Sequence, residues 1–148
     1  MKRFSEKFIL TDKMEWENLG GGVSRKFLGY DNQIMMVQVK FEEGAEGMPH
    51  AHFHTQSTYV AQGKFEFTID GEKQIVKGGD GVYIEPNLLH GTKCLEAGML
   101  IDVFSPVRED FLEGEKCPIL EIKGNYENER IKVVDYRTDI PRHRHQLY

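Results

Sequence analysis

Lys64-Phe65-Glu66-Phe67-Thr68-Ile69-Asp70-Gly71-Glu72-Lys73-Gln74-Ile75-Val76 is the stretch on which the fold class turns. Phe65, Phe67 and Ile69 alternate with Lys64, Glu66 and Thr68. A period of two places apolar side chains on one face of a strand and polar ones on the other. Asp70-Gly71 then reads as a tight hairpin turn, which returns the chain through Lys73–Val76.

The same signature recurs on both sides. Upstream, Met35, Val37, Val39 and Phe41 alternate with Met36, Gln38 and Lys40. Downstream, Gly78-Gly79-Asp80 is a turn leading into Val82-Tyr83-Ile84, and Met99–Phe104 is a further strand with Leu100, Asp102 and Phe104 on one face. Turn signals about every 8–12 residues predict an all-β sandwich or barrel. Helix is expected only as one short turn from Ser105-Pro106 through Phe111, since Ser favours a cap and Pro the first helical position. The sequence holds no internal repeat. Residues 1–112 are read as the barrel. Residues 113–148 have few large apolar side chains outside Ile119–Ile122 and Ile131–Val134, and are read as a C-terminal extension of extra strands or polar tail packing on a partner subunit.

A length of 148 residues fits one compact domain. Counting glycine instead of tyrosine, the apolar share is about 45%, enough for a packed core. The 24 acidic residues outnumber the 19 basic ones, which argues against a nucleic-acid or anionic-membrane partner. No apolar run approaches the roughly 20 residues of a spanning helix, and Met1–Phe8 has no apolar stretch behind its charges. Cys94 and Cys117 are too few for a disulfide framework and are read as thiols in a reducing compartment, so the cytoplasm is the expected location.

Four of the six histidines fall between positions 50 and 90, three of them in His50-Ala51-His52-Phe53-His54. On a strand His50 and His52 share a face and can aim two imidazoles at one point, a plausible half-site for a divalent cation. On a straight strand Gln56 would lie about 20 Å from His50, so the chain must bend after His52 if Gln56 is to share that point. Three histidines in five residues are also compatible with an exposed polar edge. Spacing alone leaves both readings open.

These residues resemble a known family. Gly44, His50-Ala51-His52, Gln56 and Gly63 resemble the first cupin motif, and Gly79-Asp80, Tyr83-Ile84-Glu85-Pro86-Asn87 and His90 resemble the second. Gln56 stands where Glu is usual, Leu88 where Gly is common and Cys94 where Asn is frequent. The resemblance implies a double-stranded β-helix, or jelly-roll barrel, with His50, His52, Gln56 and His90 holding one divalent metal ion (Ni, Zn, Mn or Fe). His54 then falls outside the set, at its rim. Trp16–Gly20, Leu28–Asp31, the His-x-His-x-His-x-Gln order and Asp102–Phe111 further resemble the pectin-degradation cupins called KdgF, over residues 15–112.

That resemblance implies an enzyme that opens 4,5-unsaturated uronates, released by pectin and alginate lyases, into linear keto-uronates. A homodimer is expected from the wider family. Asp102 is the expected acid/base, and Arg108 suits a carboxylate because its planar fork donates two parallel hydrogen bonds. Phe104 is expected to shape the sugar pocket and Tyr59 to donate to the substrate. Two other functions fit the same ligands: a small-molecule oxygenase or sugar isomerase, and a binding module that holds an acidic sugar unchanged.

Overall fold

The structure, a computed structural model, describes residues 2–113. Eight strands follow in order: β1 (Glu17–Gly20), β2 (Val23–Tyr30), β3 (Met35–Phe41), β4 (Glu46–His50), β5 (Thr55–Ile69), β6 (Glu72–Lys77), β7 (Gly81–Ile84) and β8 (His90–Ser105). One helical turn, α1 (Glu109–Leu112), closes the described chain. Every pairing is antiparallel, in the order β1-β2-β3-β8-β5-β6, with β4 added to β8 and β7 to β5. The expected all-β barrel is what forms. The C-terminal extension and Cys117 lie outside the described residues, apart from Glu113.

Alternation carries the core. In β3, Met35, Val37, Val39 and Phe41 are all buried while Met36 and Lys40 are exposed. In β5, Phe65 and Phe67 point inward, and Phe41 meets Phe65 edge-to-face at 5.3 Å. Asp70 and Gly71 both adopt positive φ, as the tight turn between β5 and β6 requires.

Register aligns side chains into rows across the inner face. Phe27, Val37, Asp102 and Thr58 form one row, Arg25, Val39, Leu100 and Val60 the next, and Met35, Phe104 and Gln56 a third. The strand seen in sequence at Met99–Phe104 is the second half of the 16-residue β8, whose first residue is His90. One continuous strand therefore carries His90 at one end and Asp102 toward the other. Gly63, at the bulge where β5 and β8 cross, has positive φ and no room for a Cβ against the backbone of Glu96–Gly98.

Three expectations change. The helix does not start at Ser105-Pro106: Ser105 stays in β8 opposite Thr55, its hydroxyl donates to the Gln33 carbonyl, and α1 begins at Glu109. His50 and His52 do not share a strand, because β4 ends at His50. Finally, β2 is a full strand that alternation had not revealed. Its inward series is Val23, Arg25 and Phe27, and the arginine breaks the apolar rhythm by which strands are recognised.

Candidate metal centre

His50 and His90 are direct partners across β4 and β8. His52 follows in the connection to β5, and its carbonyl accepts the Asn87 N–H at 2.7 Å. The loop before β8 is thereby tied to the loop before β5. Asp70 N–H donates to the Leu89 carbonyl at 2.8 Å and holds the other end of that loop. Two stretches far apart in sequence thus deliver three imidazoles whose ligand atoms lie within 4.8 Å of one another.

The proton positions follow from the neighbours. Nδ1 of His50 faces the Met48 carbonyl at 2.8 Å, Nδ1 of His52 the His54 carbonyl at 3.1 Å, and Nδ1 of His90 the Leu88 carbonyl at 2.9 Å. A carbonyl can only accept, so each Nδ1 must carry the proton and each Nε2 presents a lone pair. Such backbone partners orient metal-binding imidazoles. Nε2 of His90 is buried with no hydrogen-bond partner among the described residues.

Gln56 adds a stronger constraint. The chain bends between β4 and β5, so that Gln56 Oε1 sits 2.9 Å from His52 Nε2. Its amide nitrogen donates to Thr58 Oγ1 at 3.0 Å, and Thr58 in turn donates to Asp102 Oδ1 at 2.6 Å. That relay turns the amide oxygen toward the imidazole. Two lone pairs then face each other with no proton between them, an arrangement a cation resolves. The donor set fits a divalent metal. His54 is buried but stands outside the cluster, with Nε2 3.2 Å from the Val107 carbonyl.

Beside the imidazoles lies a cavity of about 160 Å³, lined by His50, His90, Asp102, Phe104, Arg108 and Arg25 among others. It is smaller than the roughly 300–1,000 Å³ of drug-sized sites, which suits a single small ligand. Phe104 packs edge-on to His52 at 5.7 Å, so it serves core and cavity at once. Tyr59 does not reach the cavity. It is 53% exposed on the outer face of β5, because its neighbours Thr58 and Val60 take the inward positions.

Charge is distributed unevenly. Arg108 is buried and held by Asp110 through two bonds, Nε to Oδ1 at 3.0 Å and a terminal nitrogen to Oδ2 at 2.7 Å. Burial, then the field of Arg108, hold His52 well below the ordinary histidine range. Burial followed by neighbouring His90 lowers His50 to about 3, and burial lowers His90 to about 4. All three are neutral at pH 7, the form a metal requires. Burial raises Asp102 to about 6, against the opposing pull of Thr58, Arg108 and Gln56. Arg25 is the functional candidate that the sequence reading missed. Its place between Val23 and Phe27 in the inward series is the signal that would have found it.

These shifts set a pH dependence for the metal-stripped protein. Below pH 6.5 the unfolded chain takes up histidine protons that the folded chain refuses, so stability falls with pH down to about 4. His90 alone contributes about 3 kcal/mol over that window. Asp102 works in the opposite sense between about 6 and 4, and offsets roughly one histidine. Two histidines stay uncompensated, so urea denaturation of the stripped protein is expected to give a stability roughly 5 kcal/mol lower at pH 4.5 than at pH 7. Equal stabilities at the two values would contradict the burial of neutral imidazoles.

The Cupin domain family profile matches residues 37–104, from β3 to the end of the Asp102 wall. The chain is 47% identical over 108 residues to the pectin degradation protein KdgF of Dickeya dadantii (strain 3937), covering 72% of this chain and 98% of that protein. Among solved structures it is similar to an RmlC-like cupin from Shewanella frigidimarina NCIMB 400, with a TM-score of 0.73 and 42% identity over 74% of this chain and 99% of that one. It is also similar to KdgF from Halomonas sp., with a TM-score of 0.69 and 37% identity over 72% of this chain and 99% of that one.

Proposed function

The chain belongs to the cupins and, within them, to the KdgF pectin-degradation proteins, and on that footing we propose that it opens the ring of 4,5-unsaturated uronates to give linear keto-uronates. One observation carries the reading: His50 and His90 of the three-imidazole cluster, a carboxyl poised near pH 6 and a buried arginine all border one cavity of single-sugar size.

The substrate is a cyclic enol ether with a carboxylate on C5 and a hydroxyl on C1. Opening it is an isomerisation. The proton leaves the C1 hydroxyl, C1=O forms as the bond from C1 to the ring oxygen breaks, and the electron pair moves onto that oxygen as a C5 enolate. A proton then arrives at C4, and the enolate becomes the C5 ketone. Atoms and charge balance with no oxidant and no added water.

Asp102 is suited to both proton transfers. A carboxyl near 6 is ionised often enough at pH 7 to accept the hydroxyl proton and basic enough to hold it briefly before C4 receives it. The Thr58 hydroxyl and the Gln56 amide fix its Oδ1, which orients the carboxyl in the cavity wall. Arg108, aligned by Asp110, offers a fixed positive charge to the acid end of the sugar, where the enolate develops. Phe104 walls off water on the same face.

His50, His52, His90 and Gln56 would hold the divalent metal, and the chemistry it supplies when bound is Lewis-acid stabilisation of negative charge on oxygen. All four are uncharged ligands, so they leave its positive charge uncancelled. Nickel, zinc, manganese and iron(II) are all compatible with imidazole and amide donors.

The test is incubation of the metal-loaded protein with unsaturated galacturonate, followed by proton NMR. The C4 vinyl signal is expected to disappear in favour of the C5 ketone's methylene, and chelator is expected to slow this at least about 100-fold. A vinyl signal that decays no faster than in buffer would reject the reading. Oxygen uptake at the rate of substrate loss would favour the oxygenase alternative instead.

A further inference from the structure

Arg25 is the second arginine of the cavity, and its surroundings differ from those of Arg108. It is buried on β2, and its guanidinium carbon stands 4.4 Å from the centre of the Phe111 ring. Arg108 stands 4.0 Å from the same ring. The two cations therefore share one aromatic platform at the cavity's edge.

Their counter-ions are not alike. The Arg108–Asp110 pair is closed, with side chains 2% and 10% exposed. The partner of Arg25 is Glu17 on β1, whose carboxylate accepts at 3.0 and 3.3 Å and is 49% exposed. Detaching a buried carboxylate from a buried guanidinium strands two charges away from water. Detaching a half-exposed one costs little, because water solvates it at once. The guanidinium left behind, itself 8% exposed, still needs an anion.

We propose that Arg25 is the exchangeable cation of the cavity: it releases Glu17 and takes the substrate's carboxylate, and thereby selects acidic sugars at the binding step. The inference rests on the uronate reading above and deepens it. Glu17 holds the guanidinium edge that the substrate carboxylate would take. Arg108 keeps Asp110 throughout and serves the charge that develops during reaction. Arg25 contributes to substrate and transition state alike, so its loss shows in KM rather than kcat.

The experiment measures kcat and KM for unsaturated galacturonate and for its neutral methyl ester, in metal-loaded wild type, Arg25→Gln, Arg25→Lys and Glu17→Gln. Arg25→Gln is expected to raise KM for the acid roughly 10- to 100-fold, the effect of a charge-assisted pair, with kcat within about threefold. KM for the ester is expected to stay within about threefold. Arg25→Lys should fall between, since it keeps the charge and loses the fork. Glu17→Gln should lower KM for the acid several-fold by removing the competitor. An acid KM unchanged in Arg25→Gln, or one raised equally for acid and ester, would overturn the proposal. If Arg25→Gln does not fold, Glu17→Gln decides, and a KM that is unchanged or raised rejects the exchange.

A wild type with no turnover at all would instead defeat the ring-opening reading. Calorimetric binding of galacturonate, with galactose as the neutral control, then poses the same question to the same variants. Galacturonate affinity lost only in Arg25→Gln supports the exchange, and equal affinity in the two proteins rejects it.

Discussion

Asp102→Asn is expected to abolish ring opening while leaving the bound metal in place. The substitution keeps the shape of the side chain and offers an oxygen to Thr58 and Gln56, so the relay that turns Gln56 toward His52 survives. What it removes is a group that can take and return a proton. General acid–base catalysis contributes about 10²- to 10⁴-fold, and here one carboxyl is assigned both transfers, so the loss belongs at the upper end. Loss of the unsaturated uronate's ultraviolet absorbance measures turnover, and elemental analysis measures metal. A variant retaining a tenth of wild-type turnover would remove Asp102 from the proton path.

His90→Ala is expected to cost most of the bound metal and, with it, activity. Nε2 of His90 is a buried acceptor with no partner among the described residues, and its ring is held with that lone pair toward the cluster. Losing groups that merely orient a ligand already costs about 10- to 100-fold in affinity, and losing a ligand costs more. Gln56→Ala should have the smaller effect, since a neutral amide is the weaker donor. Gln56→Glu separates binding from chemistry: metal is expected to be held at least as tightly, while turnover drops because the added negative charge opposes an enolate. Full metal occupancy in His90→Ala, measured after dialysis, would contradict the ligand assignment.

Chemistry that depends on residue type was legible before any coordinates. Spacing singled out the His50-His52 pair, and the likeness to the two cupin motifs added Gln56 and His90. Asp102 and Phe104 could be placed on one face because strand parity is local. Tyr59 shows parity left unused: it stands three residues after Gln56, an odd interval on one strand, and therefore faces outward. Arg25 is the opposite failure. A charged residue on an inward series looks like a broken strand until its cavity exists.

Alternation along the chain, with turns at short intervals, determined by itself that this is an all-β sandwich or barrel, because side-chain direction in a strand repeats every two residues whatever lies around it. The sequence also marked its histidines, Asp102 and Arg108, by residue type, strand parity and the resemblance to the cupins. Only the tertiary structure decided which lone pairs converge, since the tie from Asn87 to His52 joins segments 35 residues apart and the pairing of His50 with His90 joins two strands. It alone separated a closed ion pair at Arg108 from an exchangeable one at Arg25, because the strength of a charge pair depends on how much water its partner keeps, and that is a property of the assembled barrel.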